Sequence, residues 1–111
     1  MSWEKYSSEQ LVMLWLQQSQ RTSFTAQSVE AECKPYWAEH GVHRGVMAYW
    51  RAAQRVKANG FLGRITEESC SKGRQHWTCF HFERSELMPG YARLIGMRGG
   101  IPHGQGAATN G

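Results

Sequence analysis

Residues 43–60 read HRGVMAYWRAAQRVKANG, the pattern of an amphipathic helix. It holds no proline and no acid, and it ends in Asn-Gly, a pair that favours the left-handed conformation in which helices stop. At 100° per residue, Val46, Trp50 and Ala53 share one side. The other side carries three arginines, Arg44, Arg51 and Arg55. The stretch therefore predicts an amphipathic helix over 43–59, with one packed face and one arginine face.

A first helix is predicted near the start of the chain. Ser7 and Gln10 form the S-x-x-Q pattern of a capping box, so this helix begins near Ser8. The apolar run Leu11–Leu16 spreads hydrophobic side chains around most of its circumference. Such a helix is either deeply buried or pairs with a second copy. In the second case Met13, which points away from the main stripe, contributes to a homodimer surface.

A short strand and a second helix are predicted between these two helices. The β-favouring residues Thr22 and Phe24 interrupt the helical period. Thr25 or Ser28 then caps the second helix. Pro35 lies within it, and because proline has no backbone donor, the helix either kinks there or restarts with Pro35 in its first turn.

The residues after Gly60 predict a β-hairpin with a basic tip. Residues 61–66 and 76–82 are the two strands, and the turn lies at Ser71-Lys72-Gly73-Arg74. In the return strand, alternate residues share a face. One face carries Thr78, Phe80 and Phe82, and the other carries Trp77, Cys79 and His81. Either face suits burial.

The composition changes from Ser85 onward, where seven of the twelve glycines occur. This change predicts a folded domain over 1–84 and a mostly flexible, Gly-rich tail over 85–111. An alternative is that part of the tail forms a short amphipathic segment that docks on the body or on a second subunit. Its apolar residues are Leu87, Met88, Tyr91, Leu94, Ile95 and Met97.

Composition narrows the class of protein. The formal net charge is +4, and all nine acids are Glu. Without Asp, the usual magnesium and calcium sites are disfavoured. An enzyme is therefore the less favoured alternative. The sequence indicates no cofactor and no small-molecule ligand. The longest apolar run has six residues, too short to span a membrane, and the N-terminus does not resemble a signal peptide. We therefore expect a cytoplasmic protein.

Three cysteines, an odd number with no C-x-x-C spacing, indicate reduced thiols and neither a disulfide framework nor a zinc ribbon. We predict no metal. The alternative is a metal-binding or catalytic site on the hairpin, because Cys79 and His81 are two residues apart and share one strand face. Its four candidate ligands are Cys70, His76, Cys79 and His81.

The order helix, short strand, helix, turn, basic helix and two-stranded hairpin resembles the winged helix-turn-helix family of DNA-binding domains. The residues that carry the resemblance are FTAQSV at 24–29, GVHRGV at 41–46 and AAQRVKANGFL at 52–62. The end of the last segment looks like the family's usual close of a recognition helix, leading into the wing. The resemblance implies a small α+β winged helix-turn-helix domain of three helices and a β-hairpin wing, and it covers roughly Ser8 to Phe82.

In that family the third helix lies in the major groove, where Arg binds guanine or phosphate and Gln binds adenine. The charge pattern agrees, since five basic residues and no acid lie between Glu39 and Glu67. We predict a sequence-specific protein that binds double-stranded DNA and regulates transcription. Its predicted contacts are His43, Arg44, Arg51, Gln54, Arg55 and Lys57 on the helix, and Lys72 and Arg74 on the hairpin. The alternative is a winged-helix adaptor that uses the same arginines to bind an acidic protein surface.

Overall fold

The computed structural model describes residues 3–97, which form four helices and a small three-stranded antiparallel sheet, an α+β fold. The sheet order is β1-β3-β2. In chain order the elements are α1 (Ser8–Ser19), β1 (Ser23–Phe24), α2 (26–39), α3 (Val46–Ala58), β2 (Thr66–Lys72), β3 (Gln75–His81) and α4 (Leu87–Met97). Short 3-10 turns precede α1 and α4, at Trp3–Lys5 and Arg84–Glu86. None of the helices within residues 3–97 is long and apolar enough to span a membrane.

Both ends of α1 are capped. Gln10 N donates to Ser7 Oγ (3.2 Å) and Ser7 N donates to Gln10 Oε1 (2.7 Å), which confirms the predicted capping box. At the other end, Arg84 Nη1 donates to Leu16 O (2.8 Å) and Arg84 Nη2 to Gln17 O (3.2 Å). These bonds satisfy carbonyl groups of the last turn, which have no partner inside the helix.

The second helix confirms the predicted interruption at Pro35. Thr25 caps its start, accepting from Ser28 N at 3.0 Å. The helix then widens into a π-turn over Val29–Cys33 and resumes as an α-helix over Lys34–Glu39, with Pro35 in the first turn. Because Pro35 has no N–H to donate, this change of hydrogen-bonding pattern falls where a regular α-helix would lose a bond.

The third helix begins later than predicted and packs on a rotated face. It starts at Val46, because Gly45 is extended (ψ 155°) and the residues before it are not helical. Its buried residues are Tyr49, Ala52, Ala53 and Val56, whereas Trp50 is only half-buried. Of the predicted packing face, Ala53 is buried and Trp50 packs at the margin of the core, while the centre of the face lies near Tyr49 and Val56, whose side chains are fully enclosed.

The hairpin forms, but its first strand is shifted along the chain. Residues 61–65, predicted as strand, contain a turn and a bend beside two left-handed glycines, Gly60 (φ 67°) and Gly63 (φ 69°), so that β2 starts only at Thr66. The predicted turn is confirmed, with Lys72 opposite Gln75 and Gly73 left-handed at φ 63°. In β3 the face of Phe80 is the buried one.

Residues 85–97, which the sequence placed in the flexible tail, belong to the folded part of the chain. They complete the Arg84–Glu86 turn and form α4, which packs against α1 and contributes Leu87 and Leu94 to the core. The amphipathic segment considered as an alternative therefore docks on the body of the same chain, and the fold has a fourth helix. The rest of the predicted tail, 98–111, lies outside the described residues.

The apolar excess of α1 is explained by this packing. Met13 is 1% exposed, and its methyl group lies close to Gly90 of α4. The predicted homodimer surface around Met13 is thus covered by the chain's own α4. An isolated view of α1 could not show this, because the covering residues lie more than seventy positions away.

Tyr49 supports a prediction about alkaline pH. Its side chain is fully buried, and its hydroxyl has no hydrogen-bond partner among residues 3–97. Burial raises the pKa of Tyr49 to about 12, while an unfolded tyrosine titrates near pH 10. The unfolded chain thus releases this proton first, so Tyr49 lowers the stability of the fold as the pH rises from about 10 to about 12.

We expect Tyr49→Phe to fold with unchanged stability, or with a gain of up to about 1 kcal/mol, at pH 7, because the change removes an unpaired buried hydroxyl. Between about pH 10 and 12 the variant should lose less stability than the parent. Urea unfolding at both pH values measures the difference. A variant that is destabilised at pH 7 would contradict the assignment of an unpaired hydroxyl.

Candidate nucleic-acid interface

The outward face of α3 carries a mixed row of side chains. Met47, Arg51, Gln54 and Arg55 recur at the spacing of one helical stripe and are all exposed. Met47 is 51% exposed, one of the two large exposed hydrophobic residues within 3–96. We call this row, Met47-Arg51-Gln54-Arg55, the outer stripe. It brings together three of the predicted site residues, together with one apolar residue that the prediction did not include.

Arg51 and Gln54 are the members of the outer stripe with polar groups available for a ligand. Neither side chain makes a hydrogen bond or an ion pair with any residue in the described range. Their guanidinium and amide groups are the types that form paired hydrogen bonds with guanine and adenine edges, respectively. The helix thus presents both groups to solvent about one turn apart.

Arg55 is tied to the body of the protein by a carboxylate that sequence analysis did not identify. Its Nε donates to Glu9 Oε2 at 2.6 Å. The Glu9 side chain is 5% exposed and that of Arg55 is 48% exposed. The hydrogen bond to Glu9 raises the pKa of the Arg55 guanidinium. One side of the guanidinium is therefore held by α1, while half of the side chain remains open to solvent.

Arg44 does not lie on the outer stripe, which corrects its predicted place on the arginine face of the helix. Its Nη1 donates to Ser8 Oγ (2.9 Å), and its Nη2 donates to Glu4 O (3.0 Å) and Tyr6 O (2.5 Å). These bonds join the loop before α3 to the start of α1. Arg44 is therefore a framework residue, and we leave it out of the proposed interface.

Lys57 is likewise used within the fold. It forms an ion pair with Glu67 of β2, and its ammonium lies 5.0 Å from the centre of the Phe80 ring. Opposite charge and an aromatic face both stabilise an ammonium in this position. Lys57 therefore links the end of α3 to the base of the hairpin, and Glu67 balances its positive charge.

The other predicted contacts lie at the two ends of this region. His43 is exposed in the loop before α3. Lys72 and Arg74 are exposed at the hairpin tip, on either side of Gly73, and no ion pair involves them within residues 3–97. The hairpin also carries acids, since Glu67 and Glu68 follow one another in β2, so only its tip is clearly basic.

The alternative metal site on the hairpin does not assemble. Cys70 lies opposite Trp77 and Cys79 opposite Glu68, while His76 lies opposite Ser71. The remaining candidate, His81, hydrogen-bonds to Glu68 at 2.9 Å. In the part of the chain that the structure describes, no group of three or more His, Cys, Asp or Glu side chains is arranged to hold a metal ion.

Two features of this surface were not predicted from the sequence. Glu9 lies 46 positions from Arg55, and no local pattern connects the two. Met47 has the spacing of the outer stripe, so the helical period could have placed it there, but the charge pattern does not include it.

Comparison of the chain with protein-family models, with curated proteins and with solved structures produced no match.

Proposed function

We propose that this protein is a winged-helix protein that binds double-stranded DNA and regulates transcription inside the cell. The order of elements supports the proposal: a helix, a short strand, two further helices and a hairpin, with the hairpin's second strand in the middle of the sheet. In such a domain the helix that precedes the hairpin enters the major groove. Here that helix is α3, and its outward face is the outer stripe.

The observation that carries the proposal is the pair Arg51 and Gln54. Both are exposed on one stripe of a 13-residue helix, and their polar groups have no partner among residues 3–97. An arginine reads guanine O6 and N7 or neutralises a phosphate, and a glutamine reads adenine N6 and N7. Arg55 adds a cation whose exposed side is available to the DNA backbone.

The hairpin tip supplies the second part of the proposed contact. Lys72 and Arg74 flank a tight turn, and cations at such a tip suit phosphate contacts, which position a protein on DNA without reading its sequence. Glu67 and Glu68 further down the strand would repel phosphates. We therefore assign DNA contact to the tip of the hairpin and not to its length.

The test is fluorescence-anisotropy binding to random duplex DNA at increasing salt, followed by selection of preferred sequences. If phosphates are neutralised, the logarithm of the association constant falls linearly with the logarithm of the salt concentration. We expect Arg51→Ala to weaken binding to the preferred sequence by about 1 to 3 kcal/mol if it reads a base. Gln54→Ala should relax the preference at one base pair.

The matched control is Lys34→Ala, which removes the same charge from an exposed position on α2. It should leave affinity nearly unchanged. Equal losses for Arg51→Ala and Lys34→Ala would mean that only net charge matters, and the assignment of α3 would fail. Absence of binding at low salt would reject DNA as the ligand.

Met47 favours one second candidate, an adaptor that binds an acidic protein surface. An exposed methionine beside Arg51 fits a partner that offers both an apolar pocket and carboxylates. Met47→Lys separates the two proposals, because an added cation should strengthen binding to DNA and weaken an interface that buries the methionine.

A further inference from the structure

The free edge of the sheet is the longest unpartnered backbone segment of the hairpin. Within residues 3–97, β2 is the last strand in the order β1-β3-β2, and its seven residues pair on one side only. Six of the seven are exposed, and Cys70 is half-buried. A row of unpaired N–H and C=O groups in such an edge is a template for another strand.

The pairing of β3 with β1 determines which residues of β2 direct their backbone groups toward the open edge. Phe82 N donates to Thr22 O at 2.9 Å, so the even-numbered residues of β3 direct their backbone groups toward β1. Backbone direction alternates along a strand, so the odd-numbered residues of β3 face β2. Their partners in β2 are the even-numbered residues. The backbone groups of Glu67, Ser69 and Ser71 therefore point away from the sheet, along the open edge.

The side chains of β2 are arranged so that the strand complements a second copy of itself. Glu68 and Lys72 lie at equal distances on either side of Cys70. When two β2 strands are set antiparallel with Cys70 on the two-fold axis, Glu68 of each faces Lys72 of the other. In this register Ser69 pairs with Ser71, which matches the outward direction of both backbones. Opposite charges placed directly across two strands stabilise the pairing.

Neighbouring registers lose this match. In the neighbouring registers that still pair odd-numbered residues of the two strands by backbone hydrogen bonds, either Glu68 or Lys72 lies opposite Cys70 of the other copy. Glu68 and Lys72 then no longer face each other. Glu68 is 61% exposed and hydrogen-bonded to His81 of its own chain, and Lys72 has no ion pair within residues 3–97. Both side chains are therefore accessible to a partner strand on the same face as Cys70.

We infer that two copies of this protein associate through β2, antiparallel about Cys70, to form one continuous sheet across a symmetric dimer. The partner is a second copy because the edge is charge-complementary to itself. This inference does not rest on DNA binding. It gives Lys72 a role in the dimer beside its proposed DNA contact, and the Lys72 variant below separates the two roles.

The first experiment is sedimentation equilibrium of the full chain and of charge-reversed variants. Glu68→Lys and Lys72→Glu each place like charges across the interface and should shift the protein to monomer at concentrations where the parent is dimeric. The double variant Glu68→Lys/Lys72→Glu restores opposite charges and should restore the dimer. This rescue distinguishes a direct pair from a general charge effect, because the double variant has the parent's net charge.

The second readout is the thiol of Cys70, which the register places opposite its own copy in a non-hydrogen-bonded pair, where strands approach most closely. In a Cys79→Ser background, the oxidant diamide should join two chains through Cys70. The two thiols form one S–S bond and release two protons and two electrons, which reduce the diazene of diamide to a hydrazine. The matched control is Cys70→Ser with Cys79 retained, which should give no cross-linked dimer.

The inference is overturned by a parent protein that is monomeric at every concentration tested, by a dimer unaffected by either single charge reversal, or by a double variant that stays monomeric while circular dichroism shows it to be folded. Cross-linking through Cys79 as readily as through Cys70 would also overturn it. If Lys72→Glu weakens DNA binding while the oligomeric state stays unchanged, Lys72 belongs to the DNA contact and the dimer register is wrong.

Discussion

Gly90→Ala is expected to release α4 from the body of the protein and to lower the free energy of unfolding by roughly 3 to 6 kcal/mol, the burial free energy of two leucine side chains. A Cβ at position 90 would lie 1.4 Å from the carbonyl oxygen of Phe61 and 2.5 Å from its carbon. These are backbone atoms and cannot rotate away. The helix must therefore move. Leu87 and Leu94, each 2% exposed, then lose their contacts with the core of the protein.

The matched control for this change lies in the same helix. Gly96→Ala places a Cβ where no atom of residues 3–97 lies within 4 Å, so it tests helix propensity without a clash. We expect it to stabilise the protein by up to about 1 kcal/mol. Urea unfolding of the two variants measures the difference. Equal stabilities of Gly90→Ala and Gly96→Ala would show that α4 does not pack against the Phe61 turn.

Arg55→Ala is the second large expected effect, a loss of about 2 to 3 kcal/mol in the free energy of unfolding. Removing one partner of a buried ion pair typically costs about 3 to 5 kcal/mol, because the buried charge loses one of the groups that stabilise it. Here Glu9 is the buried partner, at 5% exposure, whereas Arg55 is 48% exposed, so water already screens part of the interaction and the expected loss is smaller.

Arg51→Ala is the control, since it removes the same side chain from the same stripe of α3, where no carboxylate is attached. Its effect on stability should stay within about 0.5 kcal/mol. The double variant Glu9→Gln/Arg55→Ala removes the buried charge as well and should recover part of the loss. Urea unfolding gives all three values. No recovery in the double variant would argue that Arg55 stabilises the fold by packing alone.

The different effects of Arg55→Ala and Arg51→Ala on stability also affect what each variant shows in a DNA-binding measurement. An Arg55 variant changes stability and the proposed interface together, so its loss of affinity has two sources. Arg51 makes no intrachain hydrogen bond or ion pair within residues 3–97, and its variant reports on the interface alone. The stronger probe of the proposed function is therefore the arginine with the smaller expected effect on folding.

The candidate site could be predicted from the sequence only in part. The helical period placed Arg51, Gln54 and Arg55 together, because residues three and four apart necessarily share a helix face. It also placed Arg44 with them, but Arg44 precedes the first helical residue and bonds to the start of α1. Periodicity shows which charges share a face, and it does not show which of them have a partner inside the fold.

Features that depend on neighbouring residues could be predicted from the sequence. The capping boxes at Ser7 and Thr25, the restart of α2 at Pro35 and the hairpin turn at Gly73 each involve groups no more than four residues apart. Backbone donors, the fixed φ of proline and the left-handed freedom of glycine act at that range. These elements therefore form where local chemistry predicts them.

The roles of α4, Glu9, Arg44 and Lys57 depend on contacts between distant parts of the chain. Glu9 and Arg55 are 46 positions apart, and Arg44 reaches carbonyl groups 38 and 40 positions away. The apolar side of α1 could have faced a second copy, but α4 covers it. Contacts of this kind depend on how the chain folds back on itself, because packing brings together side chains whose separation along the sequence carries no information about their distance in space.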